Sequence, residues 1–153
     1  MFEAKVFPYR TLSVYPGMRP QDVAIWESMI LTMPGLFTNV WYNVELGDPT
    51  MPGTSDVEAR ANGMRGVSTW RVDVIGETAE GLWATEIKPD ARAGAIGQAM
   101  AYAKLIEEQY RPGKPVLPLV VSDDVSPITR HAAQLLNVHI IEVDSNFRLA
   151  TVR

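Results

Sequence analysis

Hydrophobic and polar residues are grouped along this chain in short blocks that predict alternating helices and strands. Residues 20–33 (PQDVAIWESMILTM) are predicted to form a helix, because Pro20 suits a first helical position and Pro34-Gly35 stops the run. Residues 36–46 (LFTNVWYNVEL) carry β-branched and aromatic side chains, which favour a strand. The amino-terminal third of the chain therefore predicts a helix followed by a strand.

The second half of the chain has the same alternation. It predicts a hairpin over 70–77 and 82–88, a helix over 93–110, a strand over 116–121, a helix over 127–136 and strands over 138–143 and 147–152. Arg111-Pro112-Gly113 ends the long helix, and Ser126-Pro127 begins the next one as an N-cap and first-turn proline. The predicted order is α-β-β-β-α-β-α-β-β, which is an α/β fold with a mixed sheet flanked by helices.

Residues 47–66 (GDPTMPGTSDVEARANGMRG) interrupt this pattern with prolines and glycines. A short helical turn is expected at 56–60, and otherwise no regular element. Long connections in compact domains tend to be functional or mobile. We expect a flexible loop here that acts as a lid or contacts substrate.

The amino-acid composition agrees with the predicted single α/β domain. The 153 residues, 46% of them hydrophobic and 21% charged, fit one domain over 1–153. No apolar run approaches the ~18 residues of a membrane span, and the amino terminus has no signal-peptide pattern. The absence of cysteine excludes disulfides and thiolate metal sites and fits a cytoplasmic protein. A net charge of −4 argues against a non-specific duplex binder, which usually has a basic face.

Candidate chemistry lies in the hairpin. If Thr78 to Gly81 form its turn, Glu77 pairs with Leu82, Val74 faces Thr85 and Asp73 faces Glu86. Arg71 would then lie opposite Lys88, so these charged side chains share one face, and Val72, Val74, Trp83 and Ile87 share the other.

Two directly opposed carboxylates destabilise a strand pair, so they need a compensating partner. A divalent cation is the natural one. Asp73, Glu86 and the Ile87 carbonyl could supply three oxygen ligands to Mg²⁺, with waters completing the shell. Lys88 could stabilise charge on a phosphate or help to deprotonate a water. The competing interpretation is a solvated sheet face with cross-strand ion pairs, and a one-residue slip in register would separate the two acids.

The helix after Lys88 begins with small residues, which permit close approach to a sheet or a phosphate backbone. Gln98 and Tyr102 lie one turn apart and share a face. Aimed towards the hairpin, they could orient Lys88 or bind a phosphate oxygen. The alternative is a half-exposed helix with incidental polar residues.

The ordered set of a helix, a strand, a strand with Asp73, a strand with Glu86-Ile87-Lys88 and a helix with Gln98 and Tyr102 resembles the PD-(D/E)xK nuclease superfamily. The Gln-x-x-x-Tyr element is typical of its RecB-type branch, and PVLPLVVSDDVSPITRHAAQLLNVHIIEV is similar to the nuclease domain of NucS-like endonucleases. The resemblance covers residues 70–143 and implies a restriction-endonuclease-like fold.

This resemblance also implies roles for single residues. Asp73 and Glu86 would be metal ligands, Lys88 the catalytic lysine, and Gln98 and Tyr102 the helix motif. Many members use an acid on the first helix, for which Glu27 is the candidate, although an exposed helical glutamate explains it equally well. Val72 replaces the proline of the family's name.

Several other residues are candidates for binding or for the core. Arg60, Arg65, Arg71 and Arg92 could contact phosphates. The loop arginines could instead balance Asp56 and Glu58. The four tryptophans, Trp26, Trp41, Trp70 and Trp83, are expected in the core rather than as base-stacking platforms.

The sequence thus predicts a Mg²⁺- or Mn²⁺-dependent deoxyribonuclease that hydrolyses phosphodiester bonds with a metal-activated water, more as an endonuclease than as an exonuclease. The expected partners are DNA and a second copy of the chain or a larger complex, and no membrane. The rival hypothesis is an inactive nuclease-like binding or assembly module, for instance in a phage particle, which the acidic pI of about 5.2 favours. A third is a plain α/β domain in which the motif is chance.

Overall fold

The structure is a computed structural model, and it describes residues 2–47 and 69–145. Within these ranges the elements in chain order are β1 (Val6–Pro8), α1 (Pro20–Thr32), β2 (Asn39–Leu46), β3 (Trp70–Glu77), β4 (Leu82–Ile87), α2 (Ala93–Tyr110), β5 (Val116–Ser122), α3 (Pro127–Leu135) and β6 (His139–Glu142).

The described strands form one six-stranded sheet in sequence order, β1 to β6. Strands β1 to β4 pair antiparallel, and β4, β5 and β6 pair parallel. The two parallel pairs are joined through α2 and α3, which lie on one face of the sheet as consecutive β-α-β crossovers of one hand require. The predicted fold class, an α/β fold with a mixed sheet flanked by helices, is confirmed.

Helix α1 covers the opposite face. Pro20 fixes its first turn, and Asp22 accepts a hydrogen bond of 3.4 Å from the backbone N–H of Arg19, so the helix begins where the sequence predicts. Its fully buried Trp26 donates to the hydroxyl of Tyr42 on β2 at 3.0 Å. The core on this side combines apolar residues of α1 with those of the central strands, among them Ile25, Met29, Val40, Val74, Ile87, Leu119 and Val121.

Helices α2 and α3 close the other face. Ile106 and Ala103 of α2 pack on Ile75, Leu82 and Ala84 of the hairpin. Small residues of α2 and α3, including Ala95, Ala99 and Ala133, pack around Val120 of β5. The Ser126 hydroxyl caps α3 by accepting from the N–H of Thr129 at 3.3 Å, as predicted for Ser126-Pro127.

The alternation of faces along β2 and β3 breaks at one level of the sheet. Tyr42 and Val74, which pair with each other, pack with α1, whereas Val44 and Val72, the next pair of the same parity, pack with α2. Asn43 lies between them with φ of 54°, a left-handed conformation that asparagine tolerates better than most residues. The expectation that Val72 and Val74 share one face is therefore wrong, because the strand pair bends at the level of Asn43 and Asp73.

The hairpin register is confirmed where the strands pair. Thr78 N–H donates to the Gly81 carbonyl at 2.9 Å, Glu77 pairs with Leu82 and Val74 pairs with Thr85. The three-residue strand β1 is not predicted from the sequence. The predicted strand over 147–152 and, apart from Gly47, the predicted loop over 47–66 lie outside the described residues. No helix in the described ranges has the length and apolar character needed to cross a bilayer.

Candidate active site

A pair of carboxyl groups lies where β3 and β4 stop pairing. The ladder between the strands ends at Val74 and Thr85, one residue before Asp73 and Glu86. In place of a backbone partner, the N–H of Ile87 donates to Oδ2 of Asp73 at 2.9 Å. The carboxyl group of Glu86 interacts electrostatically with that of Asp73. The bend at Asn43 and Asp73 therefore turns the Asp73 side chain across to the end of β4.

Both acids are held in surroundings that disfavour their charge. Burial raises the pKa of Asp73 to about 6, partly offset by the hydrogen bond from Ile87. Burial and then the charge of Asp73 raise the pKa of Glu86 to about 8. Glu86 is 6% exposed, so solvent relieves little of this cost. Both acids therefore keep their protons to higher pH than free side chains do, and they titrate as a coupled pair.

Lys88 and Asp22 act on the same pair from two sides. The charge of Lys88, an exposed residue at the end of β4, lowers the pKa of both acids. The charge of Asp22, in the first turn of α1, raises both. The site therefore lies between the start of α1 and the carboxyl end of β4. Asp22 is a neighbouring acid that the sequence does not single out, because its place in the first turn of α1 is equally typical of a helix-capping residue.

Tyr102 of α2 adjoins the pair from the other helix layer. Burial, and then the charges of Glu86 and Asp73, raise the pKa of its phenol to about 12, so the hydroxyl stays protonated. Gln98 Nε2 donates to this hydroxyl at 3.3 Å. The two residues predicted to share a helix face are thus hydrogen-bonded to each other, with Tyr102 buried and Gln98 exposed.

Other candidates lie apart from the pair or in other pairings. Glu27 is buried and accepts a hydrogen bond of 3.0 Å from the Tyr15 hydroxyl, and it does not join Asp73 and Glu86 in a metal-binding group. The predicted pairing of Arg71 with Lys88 lies beyond the end of the β3–β4 ladder, and the guanidinium of Arg71 lies 2.8 Å from Glu45 of β2. Arg92 pairs with Asp90 at 2.9 Å.

Three predictions remain open for other reasons. The Ile87 carbonyl remains a predicted ligand, since the contact seen for Ile87 is through its N–H. Arg60 and Arg65 lie outside the described residues.

The donor set fits a hard divalent cation. Both side chains offer oxygen, which Mg²⁺ and Mn²⁺ prefer, and neither histidine nor cysteine takes part. Among residues 2–47 and 69–145 no group of three or more His, Cys, Asp or Glu side chains is arranged around one ion position. Two carboxylates are sufficient for Mg²⁺, which commonly keeps several waters and takes further oxygens from a substrate phosphate.

Comparison with known proteins yields structural similarity only. No family model and no curated protein sequence matches the chain. Three solved structures do: "Protein of Unknown Function AF1548" (TM-score 0.51, 12% identity, 78% of this chain), the "EndoMS-dsDNA2 complex" (0.48, 15%, 91%) and "a repair endonuclease from Pyrococcus abyssi" (0.43, 19%, 49%).

These matches describe the fold. The chain spans 56%, 49% and 33% of the length of these structures, respectively. The match to AF1548 shows a shared fold at a TM-score of 0.51. The two endonuclease titles name the class of protein that the sequence resembles, but at TM-scores of 0.48 and 0.43 they carry no argument about function. The functional proposal therefore rests on the geometry and electrostatics of the carboxyl pair.

Proposed function

We propose that this chain is a metal-dependent DNA nuclease of the PD-(D/E)xK superfamily that hydrolyses phosphodiester bonds, with an endonuclease as the favoured form. The observation that carries the proposal is the electrostatically coupled pair of Asp73, partly buried and held by the N–H of Ile87, and the buried Glu86, both with raised pKa values. Perturbed acids that lie beside a cation are candidates for functional sites. Their order along the chain, with Lys88, Gln98 and Tyr102, agrees with the superfamily motif.

Asp73 and Glu86 would hold Mg²⁺ or Mn²⁺, with the Ile87 carbonyl as a third oxygen. When bound, the ion would supply Lewis-acid polarisation of a phosphate oxygen and of the attacking water. The protein supplies the geometry. The N–H of Ile87 fixes Asp73 through a 2.9 Å hydrogen bond, and burial fixes Glu86, so neither carboxyl needs to be ordered when substrate arrives.

Lys88 supplies the positive charge. It is exposed at the end of β4, and its charge reaches both acids. From this position its ammonium group can donate to a phosphate oxygen and stabilise the negative charge that builds up during in-line attack. The neutral phenol of Tyr102, held by Gln98, can donate a hydrogen bond at the same place.

The protonation of the pair gives this proposal a pH signature. Carboxylates must lose protons before they bind a cation, and the raised pKa values of this pair move that loss to higher pH. Affinity for Mn²⁺ should rise as pH increases from 6 towards 8. Cleavage should increase over the same range.

Plasmid cleavage with Mg²⁺ tests the activity. Wild type should nick or linearise supercoiled DNA, and Lys88→Ala should lose at least about 100-fold in rate, as removal of one transition-state donor does elsewhere. Lys104→Ala is the matched control, because Lys104 is an exposed lysine of α2 that pairs with Glu107. Equal background rates for wild type and Lys88→Ala would place any catalysis elsewhere.

An inactive binding or assembly module is the second candidate, favoured by the pairing of the described arginines near the hairpin. Arg71 and Arg92 each lie within 2.9 Å of an acid, which reduces the charge they offer to DNA. Titration with Mn²⁺ separates the candidates. A functional centre binds the ion in wild type and loses it in Asp73→Asn, whereas a module without catalysis need not bind an ion at all.

A further inference from the structure

Trp70 is the exposed tryptophan of the described chain, contrary to the expectation that all four lie in the core. It stands at the start of β3 with 55% of its surface exposed, whereas Trp26 is fully buried and Trp41 and Trp83 are partly buried. An exposed indole in water costs free energy that burial would recover. A partner with a flat apolar face would therefore gain free energy by covering this indole.

The environment of Trp70 connects it to the carboxyl pair. Its ring lies edge-to-face on Tyr102, with centroids 6.3 Å apart and planes at 71°. The charges of Glu86 and Asp73 in turn raise the pKa of Tyr102. Tyr102 thus contacts the indole through its ring and interacts with the two acids through their charges.

The distance suits a nucleic acid strand. Trp70 and Asp73 are three residues apart on β3, which at about 3.3 Å per residue separates their backbones by roughly 10 Å. A nucleotide one or two positions from a phosphate held at Asp73 has a base that can reach this ring. Arg71, next to Trp70 and half exposed, lies beside the same path although it pairs with Glu45.

We propose that Trp70 is a specificity-determining residue that stacks on one unpaired base of the DNA strand being cut, one or two nucleotides from the scissile phosphate. The inference rests on the proposed nuclease function, because that function is what brings a strand to Asp73 and Glu86. Stacking is indifferent to base identity, since every base has a π-face, but it requires that the base be unpaired. The residue would thus favour single strands, flaps or distorted sites over intact duplex.

Cleavage of matched oligonucleotides in Mg²⁺ tests the residue. Trp70→Ala should cut a single-stranded oligonucleotide at least about 10-fold more slowly than wild type, as loss of one stacking contact predicts. Trp70→Phe should restore most of the rate, because a ring remains. Ile128→Ala is the matched control, since Ile128 is 72% exposed on α3 and outside the site.

A series of oligonucleotides, each with a single abasic position, locates the contact. Wild type should lose rate when the missing base is one or two nucleotides from the cut, and Trp70→Ala should lose nothing further there. Overturning results are equal rates for wild type and Trp70→Ala, or equal losses on single-stranded and duplex substrates.

Binding separates this inference from the proposed function. If wild type cuts nothing, fluorescence anisotropy in EDTA measures affinity for the same single-stranded oligonucleotide. Weaker binding by Trp70→Ala, rescued by Trp70→Phe, then supports stacking although the nuclease proposal has failed. Equal dissociation constants for wild type and Trp70→Ala overturn stacking whether or not cleavage occurs.

Discussion

The two ends of the β3–β4 hairpin hold acids in opposite electrostatic states. At the turn end, Glu77 accepts a hydrogen bond of 2.9 Å from Asn39 and pairs with the ammonium group of Lys114. These contacts hold the pKa of Glu77 below its usual range. At the open end, burial raises the pKa of Asp73, and burial together with the charge of Asp73 raises the pKa of Glu86. The same residue types, one hairpin length apart, are therefore stabilised at one end and strained at the other.

The difference separates a structural acid from a candidate functional one. Glu77 has a cation and an amide in contact, so its charge is compensated within the fold. Lys88 lowers the pKa of the pair, but burial outweighs it and both values stay raised. A fold that keeps two acids at this cost stores free energy that a bound cation can recover, which is a common trade between stability and activity.

Divalent cations should separate the two ends of the hairpin. At a Mn²⁺ concentration of 100 times its dissociation constant, wild type should gain about 2.7 kcal/mol of unfolding free energy. Glu77→Gln should gain the same amount, and Glu86→Gln should gain almost nothing. Urea unfolding with and without Mn²⁺ measures this. Similar gains in both variants would mean that the ion binds elsewhere.

Without metal, neutralising the two glutamates should shift stability in opposite directions. At pH 8, Glu86→Gln should raise the unfolding free energy by several kcal/mol, because folding raises the pKa of Glu86 from 4.5 to about 8 and one pKa unit is worth about 1.4 kcal/mol. Glu77→Gln should lower it by about 1 kcal/mol through loss of the Lys114 pair. Urea unfolding in EDTA gives both values. A loss of stability in Glu86→Gln would contradict the view that the pair is strained.

The pH dependence of stability should have opposite slopes for the two acids. Glu86 has a raised pKa, so its contribution is fully present below its unfolded value of 4.5 and is lost as pH rises through about 8. Glu77 has a lowered pKa, so its contribution is present above 4.5 and is lost as pH falls below that value. Melting curves of wild type and both variants from pH 3 to 9 give the difference curves. If the stability curves of wild type and Glu86→Gln stay parallel above pH 5, the pKa of Glu86 is not raised.

The register of the hairpin could be predicted from the sequence because it depends on local rules. A four-residue turn at Thr78 to Gly81 and alternation over short strands are sufficient to pair Val74 with Thr85. The same rules failed two residues later. They placed Arg71 opposite Lys88 and Val72 on the face of Val74, because they assume that strands continue without a bend.

The bend could not be read from the sequence for a physical reason. Asn43 adopts a positive φ at a position where Val44 and Leu46 move into the α2 core, and this is a tertiary preference that no local pattern encodes. The acids of the first helix likewise depend on tertiary contacts that a local pattern does not encode. Glu27 remains the predicted acid of the first helix and accepts a hydrogen bond from Tyr15, and the charge of Asp22 at the start of α1 acts on the pair.

The smallest expected effect tests that last residue. The charge of Asp22 raises the pKa of both members of the pair, though it ranks behind burial. Asp22→Asn should therefore shift the midpoint of Mn²⁺ binding towards lower pH by less than about one unit, since weaker repulsion lets the pair ionise earlier. Calorimetric Mn²⁺ titrations from pH 5.5 to 8.5 measure the midpoint. Glu80→Gln, an exposed acid of the hairpin turn, is the matched control and should leave it unchanged. If Asp22→Asn instead abolishes binding, Asp22 is itself a ligand, and the strained end of the hairpin is a three-acid centre that includes α1.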